Sequence, residues 1–180
     1  EKQKDVEIVV NDWAILSMAK KTPHLKLCMG TLLNKRKKDP RMKYKKGARE
    51  FYSENSLNAD FYRDFLREKC GFQRFEWESC GYPQRFPEGK NSLHFPFYQT
   101  NTSQYCQLHA ICTEGERGKQ SFVENCPHFC EKYMLIYPEH LHMIGRYNSL
   151  FGLDLETLMH PEILKEKEEA GIDRFVLGLI

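Results

Sequence analysis

No apolar run in the 180-residue sequence approaches the roughly 18 residues that a membrane-spanning helix needs. The first residues, Glu1-Lys2-Gln3-Lys4-Asp5, also lack the hydrophobic core of a signal peptide. The expectation is a chain that neither crosses a membrane nor is exported through one. A strong charge of one sign is missing too: 27 Lys and Arg stand against 25 Asp and Glu, a formal net charge of +2. Nucleic-acid binding therefore has to be argued from local clusters. There is no G-x-S-x-G, no H-E-x-x-H and no Gly-rich phosphate loop, so no familiar hydrolase or nucleotide-binding machinery is advertised. An even cysteine count is absent as well. Seven cysteines do not close a disulfide framework; they suit a reduced, cytoplasmic compartment with a metal site.

With 41% apolar and 13% aromatic side chains, residues 1–180 can bury one core and are read as a single α/β domain. Val6 to Val10 reads as a strand, followed by an N-cap at Asn11-Asp12 and a helical stretch from Trp13 to Lys20 that Pro23 stops. Leu25 to Met29 reads as the second strand. Leu57, Phe61 and Phe65 recur at helical spacing with Gly71 at the C-terminal cap position. Phe72 to Trp77 and Leu93 to Tyr98 are further strands, the latter interrupted by Pro96, and Ile172 to Leu177 is the last, after a helix that begins near Pro161. Strand and helix in alternation predict parallel strands with right-handed crossovers. Five such strands are fewer than a closed eight-stranded barrel of about 250 residues requires. The alternatives are an open α/β sheet or the C-terminal portion of a TIM-type (β/α) barrel. A first residue that is not Met favours a chain taken from something longer.

Two clusters carry chemistry. Cys106, Cys112, Cys126 and Cys130 fall within the segment 102–133, as two local pairs separated by a loop containing Gly115 and Gly118. A bound cation or cluster gives a physical reason to gather four thiolates in one segment. Zinc accepts four thiolates but favours tighter pairs than Cys106-x5-Cys112, whereas a cubane tolerates irregular spacing. The second cluster lies between Lys35 and Arg49, with nine Lys or Arg residues against Asp39 alone, interrupted by Pro40 and Gly47. It reads as an exposed loop on the active-site face, able to grip a phosphate of RNA or a carboxylate. The other cysteines, Cys28, Cys70 and Cys80, read as small core residues. His109 and His128 lie among the four cysteines without being needed as ligands, and His140 and His142 read as surface residues.

Several of these segments also resemble, in their order, the later part of the peptidase U32 family. They are Val9-Val10-Asn11-Asp12-Trp13, Gly30-Thr31-Leu32-Leu33-Asn34-Lys35 with Lys38-Asp39-Pro40-Arg41, Ser92-Leu93-His94-Phe95-Pro96-Phe97 leading into the cysteines, and Gly171-Ile172-Asp173-Arg174. The resemblance implies a (β/α) barrel whose C-terminal half binds a [4Fe–4S] cluster through Cys106, Cys112, Cys126 and Cys130. It also implies oxygen-independent hydroxylation, of RNA bases or quinone precursors, in some relatives with prephenate as oxygen donor; others are described as collagenase-like peptidases. Two features depart from the family pattern. Gln104 and Tyr105 replace the His-Gly-Ala of the collagenase-like signature, and the expected Gly-Asn is stretched to Gly145-Arg146-Tyr147-Asn148.

Three readings follow. The first is a U32-like iron–sulfur protein in which Lys35, Arg36 and Arg41, with Arg146 at a strand end, bind an anionic substrate. The second is a binding module stabilised by a four-cysteine zinc site, docking RNA or a partner. The third is the collagenase-like peptidase. If the early strands of a barrel are missing, the edge at Val6–Val10 predicts a homo-oligomer or a covering by other segments.

Overall fold

The computed structural model describes residues 5–44, 46, 49–119 and 121–180. The first four residues, and Lys45 and Gly47 of the basic segment, lie outside the described residues. Among the described residues no helix is long and apolar enough to cross a membrane.

The chain forms two sheets. β1 (Val6–Val10), β2 (Leu25–Met29), β3 (Phe72–Glu78), β4 (Lys90–Phe95) and β9 (Arg174–Leu177) pair side by side in that order, every pair parallel. Into the crossovers the chain places α1 (Trp13–Ala19), the short α2 (Arg49–Ser53) and α3 (Asp60–Asp64), and, before β9, α5 (Leu155–Met159) and α6 (Pro161–Glu169). The second sheet is antiparallel and is built from β5 (Phe97–Thr102), β6 (Leu135–Ile136), β7 (Met143–Arg146) and β8 (Ser149–Leu153), in the order β5-β8-β7-β6. Between β5 and β6 lie α4 (Gln107–Glu114) and a single 3₁₀ turn at Phe129–Glu131.

Side-chain alternation along β3 from Arg74 onward, after a register shift against β2 between Leu27 and Cys28 that puts Phe72 out of phase, explains the layering. Phe72, Phe75 and Trp77 join Leu27, Met29, Leu93, Leu16, Leu57, Leu66 and Ile172 in the core between sheet and helices. Arg74, Glu76 and Glu78 point the other way, to the concave side, yet all are buried. The concavity is real: Glu7 on one edge strand bonds Arg174 on the opposite edge strand, with Arg174 Nη2 at 3.3 Å from Glu7 Oε2. Arg74 sits between them, 3.3 Å from Glu7 and 2.6 Å from Asp173. Four inter-strand steps in a flat sheet span about 19 Å, more than an Arg–Glu pair bridges, so the sheet is curled. The fold is thus mixed α/β with a curled, five-stranded parallel half-barrel.

Three expectations need correction. Leu93 to Tyr98 is not one strand: Pro96 has no N–H for a ladder, and the chain leaves the parallel sheet after Phe95 and enters the antiparallel one at Phe97. The helix expected around residue 60 is broken into a 3₁₀ turn (Ser56–Asn58), α3 and a π turn (Phe65–Lys69) before Gly71 at φ +82°. Its buried side chains are Leu57 and Leu66, while Phe61 and Phe65 are exposed, so the wider turn rotates the apolar face away from the ideal periodicity. The five expected strands are also not all of the sheet structure: an antiparallel sheet is added by strands that flank the cysteine segment 102–133, which itself carries α4 and a 3₁₀ turn within its loops.

Candidate functional site

The loops leaving the C-terminal ends of β1 and β2 are fixed to each other. Asn11 Oδ1 accepts the Leu32 N–H at 3.0 Å, and Asp12 caps α1 by accepting from Ala14 N at 2.6 Å. Gly30 makes this possible, because a Cβ there would stand 2.1 Å from Asn11 Oδ1. Asn34, only 2% exposed, then turns the chain inward by donating to the Glu76 carbonyl at 3.2 Å. The run that follows is therefore not uniformly exposed, contrary to the reading of a solvated loop.

Arg36 is driven into the protein, its side chain 5% exposed, and donates from Nη1 to Cys80 Sγ at 2.9 Å. Its Nη2 lies 3.6 Å from Glu78 Oε2, and Lys38 pairs with the same carboxylate oxygen. Burial works against the Arg36 charge, but the Cys80 sulfur and the Glu78 carboxylate outweigh it and hold the guanidinium above its usual range. Burial pushes the Lys38 ammonium down despite Glu78. Burial likewise pushes the hydroxyls of Tyr82 and Tyr98, beside the same cluster, well above the usual tyrosine range, so both are neutral. Glu78 Oε1 accepts the Gln99 N–H at 2.9 Å and so ties β3 to β5. Arg41 lies at the rim and forks onto Asp39, with Nη2 to Oδ2 at 2.6 Å.

These groups form one wall of a cavity of about 820 Å³ at the C-terminal ends of the parallel strands. Lys35, Arg36, Lys38 and Arg41 line it, with Thr31, Leu32 and Asn34. The facing wall is the antiparallel sheet, through Gln99 to Thr102 of β5, then Tyr137, Leu141 and Met143. The size falls within the range of small-molecule sites. Three of the four sequence-predicted substrate residues meet here, and Arg146 is elsewhere. It donates to the Cys130 carbonyl at 3.2 Å, and its guanidinium lies 5.3 Å from the ring centre of Tyr147.

The cysteine segment packs on the same antiparallel sheet, with α4 against β7. Cys106 caps α4, its Sγ accepting the His109 N–H at 3.4 Å and donating to the Tyr147 carbonyl at 3.5 Å. His109 meets Phe129 with ring centres 6.2 Å apart, so α4 and the turn bearing Cys130 are neighbours on the β7–β8 hairpin. Tyr137 links the two regions: it lines the cavity, and its hydroxyl donates to Gln107 Oε1 at 3.0 Å, next to Cys106. Cys112 and Cys126 are exposed and all four thiols are free. The donor chemistry suits a cluster or zinc. The backbone brings the elements together but the side chains are not gathered as a ligand set: among the described residues, no group of three or more His, Cys, Asp or Glu could hold a metal ion. His128 and His140 are exposed, whereas His142 is half-buried. Asn148 Nδ2 donates to the Ser103 carbonyl at 2.8 Å, which makes it a turn residue of the hairpin.

Glu78 and Cys80 were missed at the sequence level. The only available signal was position, since both sit at the C-terminal end of a parallel strand, where polar groups in barrels act. Cys28 is buried as expected, but it faces the concave side and burial pushes its thiol up to about 12. No protein-family model, curated protein or solved structure matches this chain.

Proposed function

We propose that the chain is a divergent U32-like iron–sulfur protein, the later part of a TIM-type (β/α) barrel. In this reading it takes part in oxygen-independent hydroxylation, or a related modification, of an anionic substrate such as an RNA base or a quinone precursor. The observation that carries the reading is the place of the basic cavity. It opens at the C-terminal ends of parallel strands, where barrel enzymes bind substrate, and its far wall is the sheet on which the cysteine segment packs.

A cluster on Cys106, Cys112, Cys126 and Cys130 supplies one-electron redox chemistry when bound. The protein's own part is to hold and orient the substrate. Arg36 and Lys38 offer positive charge on one wall, and Gln99 to Thr102 offer neutral hydrogen-bonding groups on the other. Anaerobic reconstitution with iron and sulfide tests the reading. A brown protein with thiolate-to-iron charge-transfer absorption supports it; a colourless protein that takes up only zinc replaces it with the binding module. Cleavage of gelatin by the purified chain would instead favour the peptidase.

A further inference from the structure

The exposed part of the basic segment is the obvious anion receptor, yet two of its cations are buried against a single carboxylate. Arg36 and Lys38 converge on a single carboxylate, Glu78, and all three side chains are at least 85% buried by their exposures of 5, 15 and 7%. Two cations against one anion leave a net charge of +1 on these three groups, in surroundings that screen it poorly. Tyr82 and Tyr98 are neutral there and supply no compensation. Hydrogen bonding is incomplete in the same place: Arg36 Nη2 is buried without a hydrogen-bond partner among the described residues, and Arg36 lines the cavity. A buried guanidinium N–H left unpaired costs stability, and a bound acceptor that satisfies it recovers it.

We propose that the buried Arg36–Lys38 pair is the anchor for the oxyanion head, carboxylate or phosphate, of a small ligand whose apolar body lies on Leu32, Tyr137, Leu141 and Met143. This inference rests on the reading that the cavity is the substrate site, and it deepens that reading. The shape of the lining sets the class: charge is confined to one wall, while the other side offers apolar and neutral surface for the body. Arg41 contributes less, because its guanidinium is already engaged by Asp39. Glu78 acts as the positioning residue that holds both cations and fixes β5 through the Gln99 N–H.

The test is isothermal titration of the whole chain with three probes: benzoate, phenyl phosphate and inorganic phosphate. The two aromatic anions bind, and whichever binds more tightly identifies the head group; inorganic phosphate binds at least about tenfold more weakly for want of an apolar body. Arg36→Gln lowers the affinity at least about tenfold, the scale of one lost charge-assisted contact. Glu78→Gln keeps an acceptor for Gln99 N but removes the opposing charge, and it tightens binding by about threefold or more. Opposite signs from two neighbouring substitutions cannot come from misfolding. Arg85→Gln, remote from the cavity, leaves the affinity unchanged. Tighter binding by Cys80→Ser, whose sulfur accepts from Arg36 Nη1, would mean that the sulfur already serves as counter-ion and would overturn the proposal. So would equal affinity for all three anions, no binding at all, or weaker binding by Glu78→Gln. Metal uptake is measured separately, so failure of the iron–sulfur reading and failure of the anchor are told apart.

Discussion

Replacing Gly30 by alanine tests how the rim of the cavity is built. The new Cβ would lie 2.1 Å from Asn11 Oδ1 and 2.5 Å from its Cγ, so the Asn11 side chain must turn away. Turning away breaks its bond to the Leu32 N–H, worth about 1 kcal/mol, and displaces the side chain from its preferred rotamer for about 1 kcal/mol more. Reduced freedom of the unfolded chain offsets about 0.5 kcal/mol, which leaves a net destabilisation of about 1.5 kcal/mol. Asn11→Ala alone loses only the bond, about 1 kcal/mol. In the double variant the clash is gone and the bond is lost once, so the total is about 0.5 kcal/mol rather than the additive value of about 2.5 kcal/mol. Urea unfolding followed by the fluorescence of Trp13 and Trp77 measures all four proteins. A coupling near −2 kcal/mol supports the close approach of the two loops, and strict additivity would refute it.

Trp77→Phe removes the indole N–H that Asn91 Oδ1 accepts at 3.0 Å in the core, and destabilisation of about 2 kcal/mol in urea is expected from the unpaired amide. Asp154 accepts from Thr157 Oγ1 at 2.7 Å and Thr157 N at 3.2 Å, and also from Ser79; Asp154→Asn sets an N–H₂ among donors and lowers stability by about 2–3 kcal/mol in the same assay. The Glu7 carboxyl is held below its usual range by the Arg174 bond, and Asp173, despite burial, by Arg74 and the Asn91 N–H. Both therefore bind fewer protons folded than unfolded; their stabilisation is complete above the ordinary carboxylate range near pH ~4 and fades as pH falls through the lowered folded values. Unfolding midpoints measured from pH 6 down to pH 2 should decline less steeply in Arg74→Met than in the parent chain. In thiol labelling at pH 8, Cys112 and Cys126 react fast while Cys28, fully buried with its thiol pushed up to about 12, stays unmodified until the chain unfolds.

Three of the five parallel strands were legible because each is a short apolar run bounded by turn residues: Val6–Val10, Leu25–Met29 and Phe72–Glu78 sit within a residue of their expected limits. The antiparallel sheet was not. Gln99, Thr100, Asn101 and Thr102 carry no apolar alternation, and the β7–β8 turn uses Tyr147 at φ +56° where a glycine would have announced it. In the site, the density of Lys and Arg pointed to the right segment, and Lys35, Arg36 and Arg41 do line the cavity. What the local pattern hid was which cation turns inward. That is decided by Glu78 and Cys80, more than 40 residues further along the chain, and a pairing of that range leaves no periodic trace.

The proposal of an iron–sulfur centre on Cys106, Cys112, Cys126 and Cys130 is tested most directly by the iron and acid-labile sulfide content of the anaerobically reconstituted chain. The prediction is about four irons and four sulfides per chain, as one cubane requires, falling toward none when Cys106 and Cys130 are both replaced by serine. Zinc at one equivalent with no sulfide, or iron content unaffected by that double substitution, would contradict it.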